Sequence, residues 1–413
     1  MTMRIAVIGA GVVGLACAAR LQMRGHAVTI VDPRDPGSHC SFGNAGCLSR
    51  ASCVPLGLPG TWKKVPGWLL DPKGPLVIRP GYALSIAPWL WRFRQNTTLE
   101  RVNAIADALH ALLDGTVAKW RPLAEWAEVP DLIRQEGYAF AYRSEAAFLG
   151  DALGRELRIA RGVKIEVLTG GAIREFDPVL SPEITHLVVL PEQGHTPNPL
   201  RLSQALADRL RAGGAGFVMR AATGFDVVAG RVTRVATTEG TIDVDAVVIA
   251  AGADSNALSS QLGANVPLET ERGYHAMLAS PSIRPRIPTC AGEGKWFATP
   301  MEGGLRIAGA VEFAGLAAPP NYERADVLLE GAKRLFPGLT HAGVEKWMGH
   351  RPSMPDSKPV IGRAPGASNA CFAFGHGHVG LTGAPATAEI VAALIADETP
   401  TIDPRPFAAE RFG

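Results

Sequence analysis

Three glycines near the N-terminus have a spacing that suits the binding of a phosphate-containing cofactor. They occur in the stretch GAGVVG, and an acid, Asp32, follows at roughly the 20-residue interval expected of a ribose-binding carboxylate. A glycine-rich turn lets the backbone approach a pyrophosphate, and the N-terminus of a following helix supplies free N–H groups. The segment therefore predicts a dinucleotide site. Its predicted contacts are Gly9, Gly11, Val12, Val13, Gly14 and Asp32.

A second group of chemically useful residues is the stretch FGHGHVGLTGAP, residues 374–385. Its two histidines could bind a metal, but apart from Cys371 no further ligand lies nearby, so we expect no metal site. The alternatives are an ordinary tight turn and a backbone cradle for a flavin, whose reduced ring is stabilised by N–H groups and a helix N-terminus. The cradle is favoured. Its predicted contacts are Gly377, His378, Val379, Gly380, Leu381 and Thr382.

Regular elements must position these residues. RIAVIG (4–9) and HAVTIVD (26–32) are typical of buried parallel strands, and LACAARLQMRG between them predicts a helix that ends at Gly25. VDAVVIAAGADS (244–255) predicts a later strand of the same kind, and residues 386–397 predict an apolar helix capped at Thr382 or a nearby small residue. The fold class is therefore α/β.

The order of the segments distinguishes FAD from NAD. After Asp32 the chain does not continue with further strand–helix repeats but enters a Pro-, Gly- and Trp-rich segment that runs through residue 95. A cofactor contacted by segments far apart in sequence is more like FAD than like the nicotinamide dinucleotides. An NAD dehydrogenase is disfavoured for the same reason.

Composition limits the class of partner. The 413 residues include 47% hydrophobic and 19% charged side chains, and the formal net charge is +2. A basic groove for nucleic acid is not expected from this balance. The six cysteines form no CxxC pair, and we expect reduced, mostly buried thiols, with a redox disulfide among Cys40, Cys47 and Cys53 as the alternative. The apolar segment 81–93 is too short to span a membrane, so it is either core or a membrane-surface contact.

The motifs occur in a familiar order. GAGVVGLACAARLQMRGHAVTIVD, SFGNAG, VIAAGADS, RGYH, GHRPSMPDSKPVIG and FGHGHVGLTGAP resemble the D-amino-acid oxidase superfamily of flavoproteins over nearly the whole chain. Among its branches the sequence is most similar to the bacterial D-amino-acid dehydrogenases, and the D-hydroxyproline dehydrogenase subgroup stays open. Residues 66–93 are the most branch-specific stretch.

The resemblance implies a two-domain flavoprotein. A Rossmann-like FAD domain would be assembled from the discontinuous segments 1–60, 195–265 and 345–413. A substrate domain, residues 61–194 and 266–344, would be built on a mainly antiparallel sheet. Some relatives attach the flavin through a histidine where this chain has Gly43, so non-covalent FAD is expected.

The resemblance also assigns residues. Arg351 matches the arginine that holds the substrate carboxylate in relatives, and Tyr274 is a second candidate for the same role. His275, Trp296 and His376 are weaker pocket candidates, and Arg272 is the structural alternative. The further cofactor contacts implied are Ser41, Asn44, Ala45, Gly46, Ala251 and Gly252.

The function expected from this resemblance is oxidation of D-amino acids, D-proline and cis-4-hydroxy-D-proline included, by hydride transfer from Cα to flavin N5. Electrons would pass to a quinone or another acceptor. Two alternatives stay open: an FAD oxidase of glycine- or sarcosine-type amines, and a flavin-binding partner subunit without turnover of its own. The expected location is the cytoplasm, with contact to the inner face of the membrane as an option raised by residues 81–93.

Overall fold

Two large sheets and the helices around them form the protein, whose computed structural model describes residues 2–71 and 74–413. The strands are β1 (Arg4–Ile8), β2 (Ala27–Val31), β3 (Cys47–Leu48), β4 (Leu76–Ile78), β5 (Tyr138–Tyr142), β6 (Glu166–Thr169), β7 (His186–Leu190), β8 (Gly194–His195), β9 (Gly216–Val218), β10 (Ala222–Val228), β11 (Arg231–Thr237), β12 (Gly240–Asp243), β13 (Ala246–Ile249), β14 (Glu269–Ala279), β15 (Thr289–Ala291), β16 (Trp296–Met301), β17 (Gly304–Phe313), β18 (Gly343–Ser353), β19 (Val360–Ala364) and β20 (Ala367–Phe374). The helices are α1 (Val12–Met23), α2 (Thr61–Leu70), α3 (Ala83–Gln95), α4 (Leu99–Leu113), α5 (Thr116–Trp126), α6 (Glu145–Gly150), α7 (Ala152–Ile159), α8 (Gly171–Phe176), α9 (Pro199–Ala212), α10 (Asn256–Gln261), α11 (Glu323–Leu335) and α12 (Gly380–Ile395).

The first sheet has the order β19-β20-β13-β1-β2-β9. Its strands are parallel except β19, which runs antiparallel to β20. Successive residues of β1 enter different cores: Ile5 and Val7 pack with α1, α9 and α12, whereas Ala6 and Ile8 pack with β11 and β13 on the other face. A strand buried on both faces explains the unbroken apolar run in the sequence. The predicted strands and the predicted α/β class are confirmed.

Helix α1 ends as predicted. Its last residue is Met23, and Gly25 follows with φ +83°, the left-handed conformation that glycine adopts at no steric cost. Helix α12 differs from the prediction because it begins at Gly380, six residues earlier than expected, and Val379 rather than Thr382 occupies the capping position. Thr382 lies inside its first turn.

Contacts from α5 explain how a helix can form through GLTGAP. Pro385 has no N–H to offer the carbonyl of Leu381, and the Trp120 indole Nε1 donates to that oxygen instead, at 2.8 Å. The Thr116 hydroxyl donates to the carbonyl of Thr382 at 2.7 Å. The Trp120 contact thus satisfies the carbonyl that Pro385 would leave unpaired, and the Thr116 contact adds a donor at the next residue.

The second sheet has the order β18-β14-β17-β16-β15-β5-β7-β6, with β4 paired to β17. Its pairs are antiparallel except β5 with β15 and β4 with β17, which are parallel. The expected mainly antiparallel sheet is present. Along β14 and β18 the register pairs Glu271 with Arg351, Gly273 with Gly349 and His275 with Trp347.

The strands of the two large sheets can be compared with the expected domain segments. The strands of the first sheet fall within the segments expected for the FAD domain. Strand β18, however, pairs with β14 of the second sheet, although residues 345–353 were assigned to the FAD segment. The strand that carries Arg351 is therefore part of the second sheet.

The apolar segment 81–93 forms most of α3. Ile86 and Trp89 are buried, and the Trp89 ring lies 5.3 Å from that of Phe313. Leu84 and Trp91 point outward, 90% and 59% exposed. None of the helices in the described part of the chain is long and apolar enough to cross a membrane.

Candidate functional site

A cavity of about 300 Å³ lies at the carboxyl ends of β1, β2, β13 and β20. We call it the first cavity. The helices α1 and α12 both begin at its wall, so the positive ends of their dipoles face it, and in α1 the first N–H, that of Val12, donates to the Ser41 hydroxyl at 2.9 Å. Of the predicted cofactor contacts, those lining it are Gly11, Val12, Val13, Asp32, Ser41, Asn44, Ala251, Gly252, Gly377, Gly380 and Leu381.

The glycines of the first motif have separate tasks. Gly9 has φ +112°, and a Cβ built there would lie 2.3 Å from the carbonyl oxygen of Ala250. A Cβ on Gly14 would lie 2.0 Å from the carbonyl oxygen of Gly9, so this glycine lets α1 pack on the turn. Gly11 borders open space, with the Ser41 hydroxyl at 3.5 Å from the built Cβ. Gly11 is therefore the glycine that exposes backbone to the cavity.

Four predicted contacts line neither the first cavity nor the second cavity that adjoins it. Gly9 and Gly14 act through the close packing just described. Gly46, with φ +81°, approaches the carbonyl of Thr196, where a Cβ would lie at 2.5 Å. Val379 is 2% exposed and belongs to the hydrophobic core below α12. These residues shape the site without facing it.

Asp32 is held in place by backbone donors. Its Oδ2 accepts from the N–H of Ala10 at 2.9 Å, and its Oδ1 accepts from the N–H of Arg34 at 2.9 Å. The guanidinium of Arg34 also donates to Asp254 at 3.1 Å across the mouth of the cavity. The Asp32 carboxylate is fixed at the cavity wall, where a ribose hydroxyl could donate to it.

The groups that line the first cavity fit FAD. A bare glycine turn, two helix N-termini and a fixed carboxylate are the groups that a dinucleotide needs for its phosphates and ribose. Gly11, Val12 and Val13 would hold the pyrophosphate, and Asp32 the adenosine ribose. When bound, FAD supplies the acceptor for the two electrons of an oxidation.

A second cavity, of about 280 Å³, adjoins the first. Cys40, Asn44, Pro352 and Gly377 line both, so the two cavities meet at these residues. The second cavity is closed on one side by β14, β17 and β18 of the second sheet. Three further predicted cofactor contacts line it: Ala45, His378 and Thr382.

Arg351 lies in the wall of the second cavity. Its guanidinium extends across Gly273, where a built Cβ would be 2.1 Å from Arg351 Cζ. It donates to the carbonyls of Ala310 at 2.9 Å and Gly309 at 3.3 Å. Burial lowers the pKa of Arg351 from its usual value, and nearby Glu271 opposes that effect. The structure thus places a positioned cation in the wall of the second cavity, and its role in binding a substrate carboxylate stays a prediction.

A distortion of β17 orients the carbonyls that hold Arg351. Ala310 has φ +58°, an uncommon conformation for a residue other than glycine, and the pairing of β14 with β17 shifts register at this point. Such a bulge re-aims the backbone locally. Here it brings two successive carbonyl oxygens to one guanidinium.

Tyr274 lines the second cavity, but its hydroxyl is engaged elsewhere. It donates to Glu312 and accepts from the N–H of Asn321 at 3.1 Å. Glu312 also pairs with Arg79 at 2.8 Å and with Arg272 at 3.7 Å. Burial, and then the bond to Glu312, raise the pKa of Tyr274. The role of Tyr274 as a carboxylate donor stays a prediction, whereas Arg272 is fully buried and structural.

Trp296 packs away from the second cavity. It lies on the opposite face of the sheet from Phe297, which lines the second cavity, and packs against Gly294, Gly309 and Gly331. Successive residues of a strand point to opposite faces, and single-sequence patterns do not show which face is which. Trp296 is not a residue of the second cavity.

The three histidines have different positions. His376 lines the first cavity, and its role as a substrate-pocket residue stays a prediction. Its Nε2 lies 2.9 Å from the Thr387 hydroxyl, and burial lowers its pKa to about 3. His378 reaches the second cavity. His275 lies behind that cavity, stacked on Trp347 at 5.1 Å, and burial lowers its pKa to about 3. His376 and His378 therefore face different spaces.

Sequence reasoning missed three residues of the second sheet. Glu271 and Trp347 line the second cavity. Arg306 is 3% exposed and donates to the carbonyls of Phe42 and Asn44, at 2.6 and 2.8 Å, in the loop between the cavities. Burial lowers the pKa of Arg306 to about 10. For Glu271 alone a signal was available, the alternation along β14, where residues 269, 271, 273 and 275 share one face.

Comparisons with known proteins agree with this geometry. The model of the family "FAD dependent oxidoreductase" matches residues 4–394. The chain is 42% identical to a D-amino-acid oxidase of Bradyrhizobium diazoefficiens, over 99% of this chain and 98% of that protein. It is 30% identical to a D-amino acid dehydrogenase of Rhizobium johnstonii over the full length of both. The crystal structure of L-proline dehydrogenase from P. horikoshii superposes with a TM-score of 0.76 at 21% identity, over 100% of this chain and 98% of that one, a likeness of fold.

Proposed function

Because this chain belongs to the FAD dependent oxidoreductase family, we propose that it oxidises D-amino acids, with Arg351 binding the substrate carboxylate. The family membership makes it an FAD enzyme. The substrate class follows from relatives that are 42% and 30% identical and whose names specify D-amino acids. Hydride transfer from Cα to the flavin is the reaction that this proposal assigns.

The observation that carries the proposal is the position of Arg351. A planar guanidinium, fixed by two carbonyls, lies in the wall of a cavity that opens directly onto the cofactor cavity. Its fork-shaped donor set matches a carboxylate in two places and so fixes the plane of the bound acid. Holding the substrate in one orientation is the main contribution a protein makes to such an oxidation.

Two electron acceptors are candidates. We propose a quinone or another organic acceptor, as in a dehydrogenase. The 42% identical relative, a D-amino-acid oxidase, favours O₂ as the second candidate. The side-chain preference includes D-proline and cis-4-hydroxy-D-proline, since the second cavity, about 280 Å³, has room for a ring of that size.

Anaerobic flavin bleaching tests the proposal. The holoprotein is mixed without oxygen with D-alanine, D-proline, cis-4-hydroxy-D-proline, glycine or sarcosine, and then exposed either to a quinone or to air. We expect bleaching by the D-amino acids and fast recovery of colour with the quinone. Fast recovery in air with formation of peroxide would instead identify an oxidase, and no bleaching by any D-amino acid would overturn the substrate class.

We further propose that the outer face of α3 contacts an anionic membrane surface. Leu84 and Trp91 lie seven residues apart, hence on one face, and Arg92 and Arg94 beside them are exposed. Aromatic and aliphatic side chains flanked by arginines suit a bilayer interface with negative headgroups. Co-sedimentation with phosphatidylglycerol vesicles, weakened in Trp91→Ser and absent with phosphatidylcholine, is the expected result; no binding to either vesicle would contradict it.

A further inference from the structure

The wall of the second cavity carries a buried acid directly opposite Arg351. Glu271 on β14 and Arg351 on β18 are cross-strand partners, and both line the cavity. Side chains directly opposite each other on an antiparallel pair share one face and have Cβ atoms about 5 Å apart. Glu271 is only 4% exposed. Two opposite charges therefore stand side by side where a substrate would bind.

These two side chains do not neutralise each other by contact. Within the part of the chain that the structure describes, no hydrogen bond or ion pair joins them, because the Arg351 guanidinium extends over Gly273 to the carbonyls of β17. Glu271 Oε1 accepts from the Ser353 hydroxyl at 2.8 Å. A carboxylate has about four acceptor sites, so Glu271 retains capacity for a further donor.

An amino acid supplies that donor at the right distance. When its carboxylate is held by Arg351, its nitrogen lies about 2.5 Å from the carboxylate carbon, two covalent bonds away. The zwitterion then presents a negative and a positive group to a wall that offers a positive and a negative one. A carboxylic acid without nitrogen would instead meet repulsion from Glu271.

We propose that Glu271 receives the substrate nitrogen: it accepts a hydrogen bond from the ammonium group and then one proton from it, while Arg351 holds the carboxylate. This inference rests on the function proposed above. In the proton transfer an N–H bond breaks, its electron pair stays on nitrogen, and an O–H bond forms on Glu271. The amine becomes neutral, and its lone pair is free to form the C=N bond when the Cα–H bond is oxidised.

The surroundings of Glu271 suit this transfer. Burial is the main cause that raises the pKa of Glu271, opposed by the Ser353 hydroxyl and by Arg351, and Glu269 adds a smaller upward effect. A raised carboxyl pKa narrows the gap to that of an amine, so the proton transfer costs less. The other titratable groups that line the cavity are Cys40, Cys47, Tyr138, Tyr274, Lys295, Arg351 and His378.

The test compares two probes that cannot be oxidised because they lack a Cα hydrogen. 2-Aminoisobutyrate carries a carboxylate and an ammonium group, whereas pivalate has the same shape with a methyl group in place of the nitrogen. Binding of each to the holoprotein is measured by the change in the visible flavin spectrum. We expect Glu271→Gln to weaken binding of 2-aminoisobutyrate by about 10- to 100-fold and to leave pivalate binding unchanged or tighter. A change of the same size in the affinity for both probes, or no change in either affinity, would overturn the inference.

The matched control is Glu269→Gln, the same substitution two residues away on β14. Glu269 accepts from the Tyr82 hydroxyl at 2.8 Å and does not line the second cavity. We expect this variant to bind both probes as the unsubstituted protein does.

If Glu271→Gln fails to retain FAD, the pH dependence of probe binding to the unsubstituted protein is measured instead. The affinity for 2-aminoisobutyrate relative to pivalate should fall as the pH is lowered and Glu271 becomes protonated. A ratio independent of pH would overturn the inference.

Failure of the proposed function has a different signature. If Arg351→Lys weakens neither probe, or neither probe binds, the carboxylate site itself is wrong. If Arg351→Lys weakens both probes and Glu271→Gln shows no selectivity, the carboxylate site stands and the role of Glu271 fails.

Discussion

The two adjoining cavities use different parts of the chain for recognition. The first cavity is lined largely by backbone at strand ends and helix N-termini, and its glycines and small residues come from short segments far apart in sequence, chiefly within 10–44, 250–254 and 373–381. The second is lined by side chains from β14, β17 and β18, such as Glu271 and Arg351, which lie 80 residues apart and meet through register. Under the proposed function, the cofactor is bound mainly by backbone groups and the substrate by side chains of the second sheet.

Alanine at Gly9 is the strongest test of backbone recognition. We expect Gly9→Ala to be purified without FAD, because the new Cβ would lie 2.3 Å from the Ala250 carbonyl oxygen in a turn with φ +112°. The measurement is visible flavin absorbance relative to protein absorbance. Gly25→Ala is the matched control: φ is +83° and nothing lies within 4 Å of the built Cβ, so it should cost only about 1 kcal/mol and retain FAD. A yellow Gly9→Ala protein would contradict the assigned turn.

Lysine at Arg351 tests side-chain recognition. We expect Arg351→Lys to raise KM for a D-amino acid about 100-fold, equivalent to about 3 kcal/mol, because a point charge replaces the two-pronged donor. FAD content should not change. Arg286→Lys, an exposed arginine that donates to the carbonyl of Phe176, serves as control and should leave KM as it is. An unchanged KM in Arg351→Lys would move the carboxylate site elsewhere.

The pH dependence of folding stability should reveal that His376 is kept neutral at the first cavity. Burial lowers its pKa to about 3, so the folded state stays neutral at pH 4 while the unfolded state binds a proton below about pH 6.5. The stability contributed by neutral His376 is complete above that value and is lost as the pH falls toward 3, by up to about 3 kcal/mol at pH 4. The Tm difference between the unsubstituted protein and His376→Gln should therefore shrink between pH 7 and pH 4. A constant difference would show that His376 titrates normally.

Adjacent residues of β16 provide the smallest and most local test. Trp296→Phe should leave KM within twofold and cost about 1 kcal/mol of stability, because Trp296 packs on the face away from the second cavity. Phe297→Leu should change KM several-fold, since Phe297 lines that cavity. The reverse pattern in steady-state kinetics would mean that the assigned faces of the strand are exchanged.

Sequence reasoning located the first cavity more completely than the second, for a physical reason. The turn at Gly9, the helix after it and the acid at Asp32 are local features with fixed spacing, and the structure has all of them. The early start of α12 was missed because its Gly and Pro residues disfavour a helix locally, and the compensating donors, Trp120 and Thr116, come from α5.

The second cavity depended on information that the sequence does not carry locally. Arg351 is a candidate because of a motif shared with relatives, whereas no pattern in the sequence shows that Glu271 lies beside it or that Trp296 packs away from the second cavity. The pairing of β14 with β18 places Glu271 beside Arg351, and the alternation of side chains along β16 places Trp296 away from the cavity. A shift of one residue in register would reverse every such assignment.

The buried guanidinium of Arg306 has a consequence for recombining this protein with its relatives. It starts from the second sheet and binds two carbonyls of the loop that holds residues 42 and 44, next to the cofactor cavity. The two acceptors are main-chain carbonyls, so a chimera that joins the first sheet of one parent to the second sheet of another keeps this contact only where the second sheet supplies an arginine at this place and the loop keeps its backbone path. The second sheet and this loop should therefore be exchanged together.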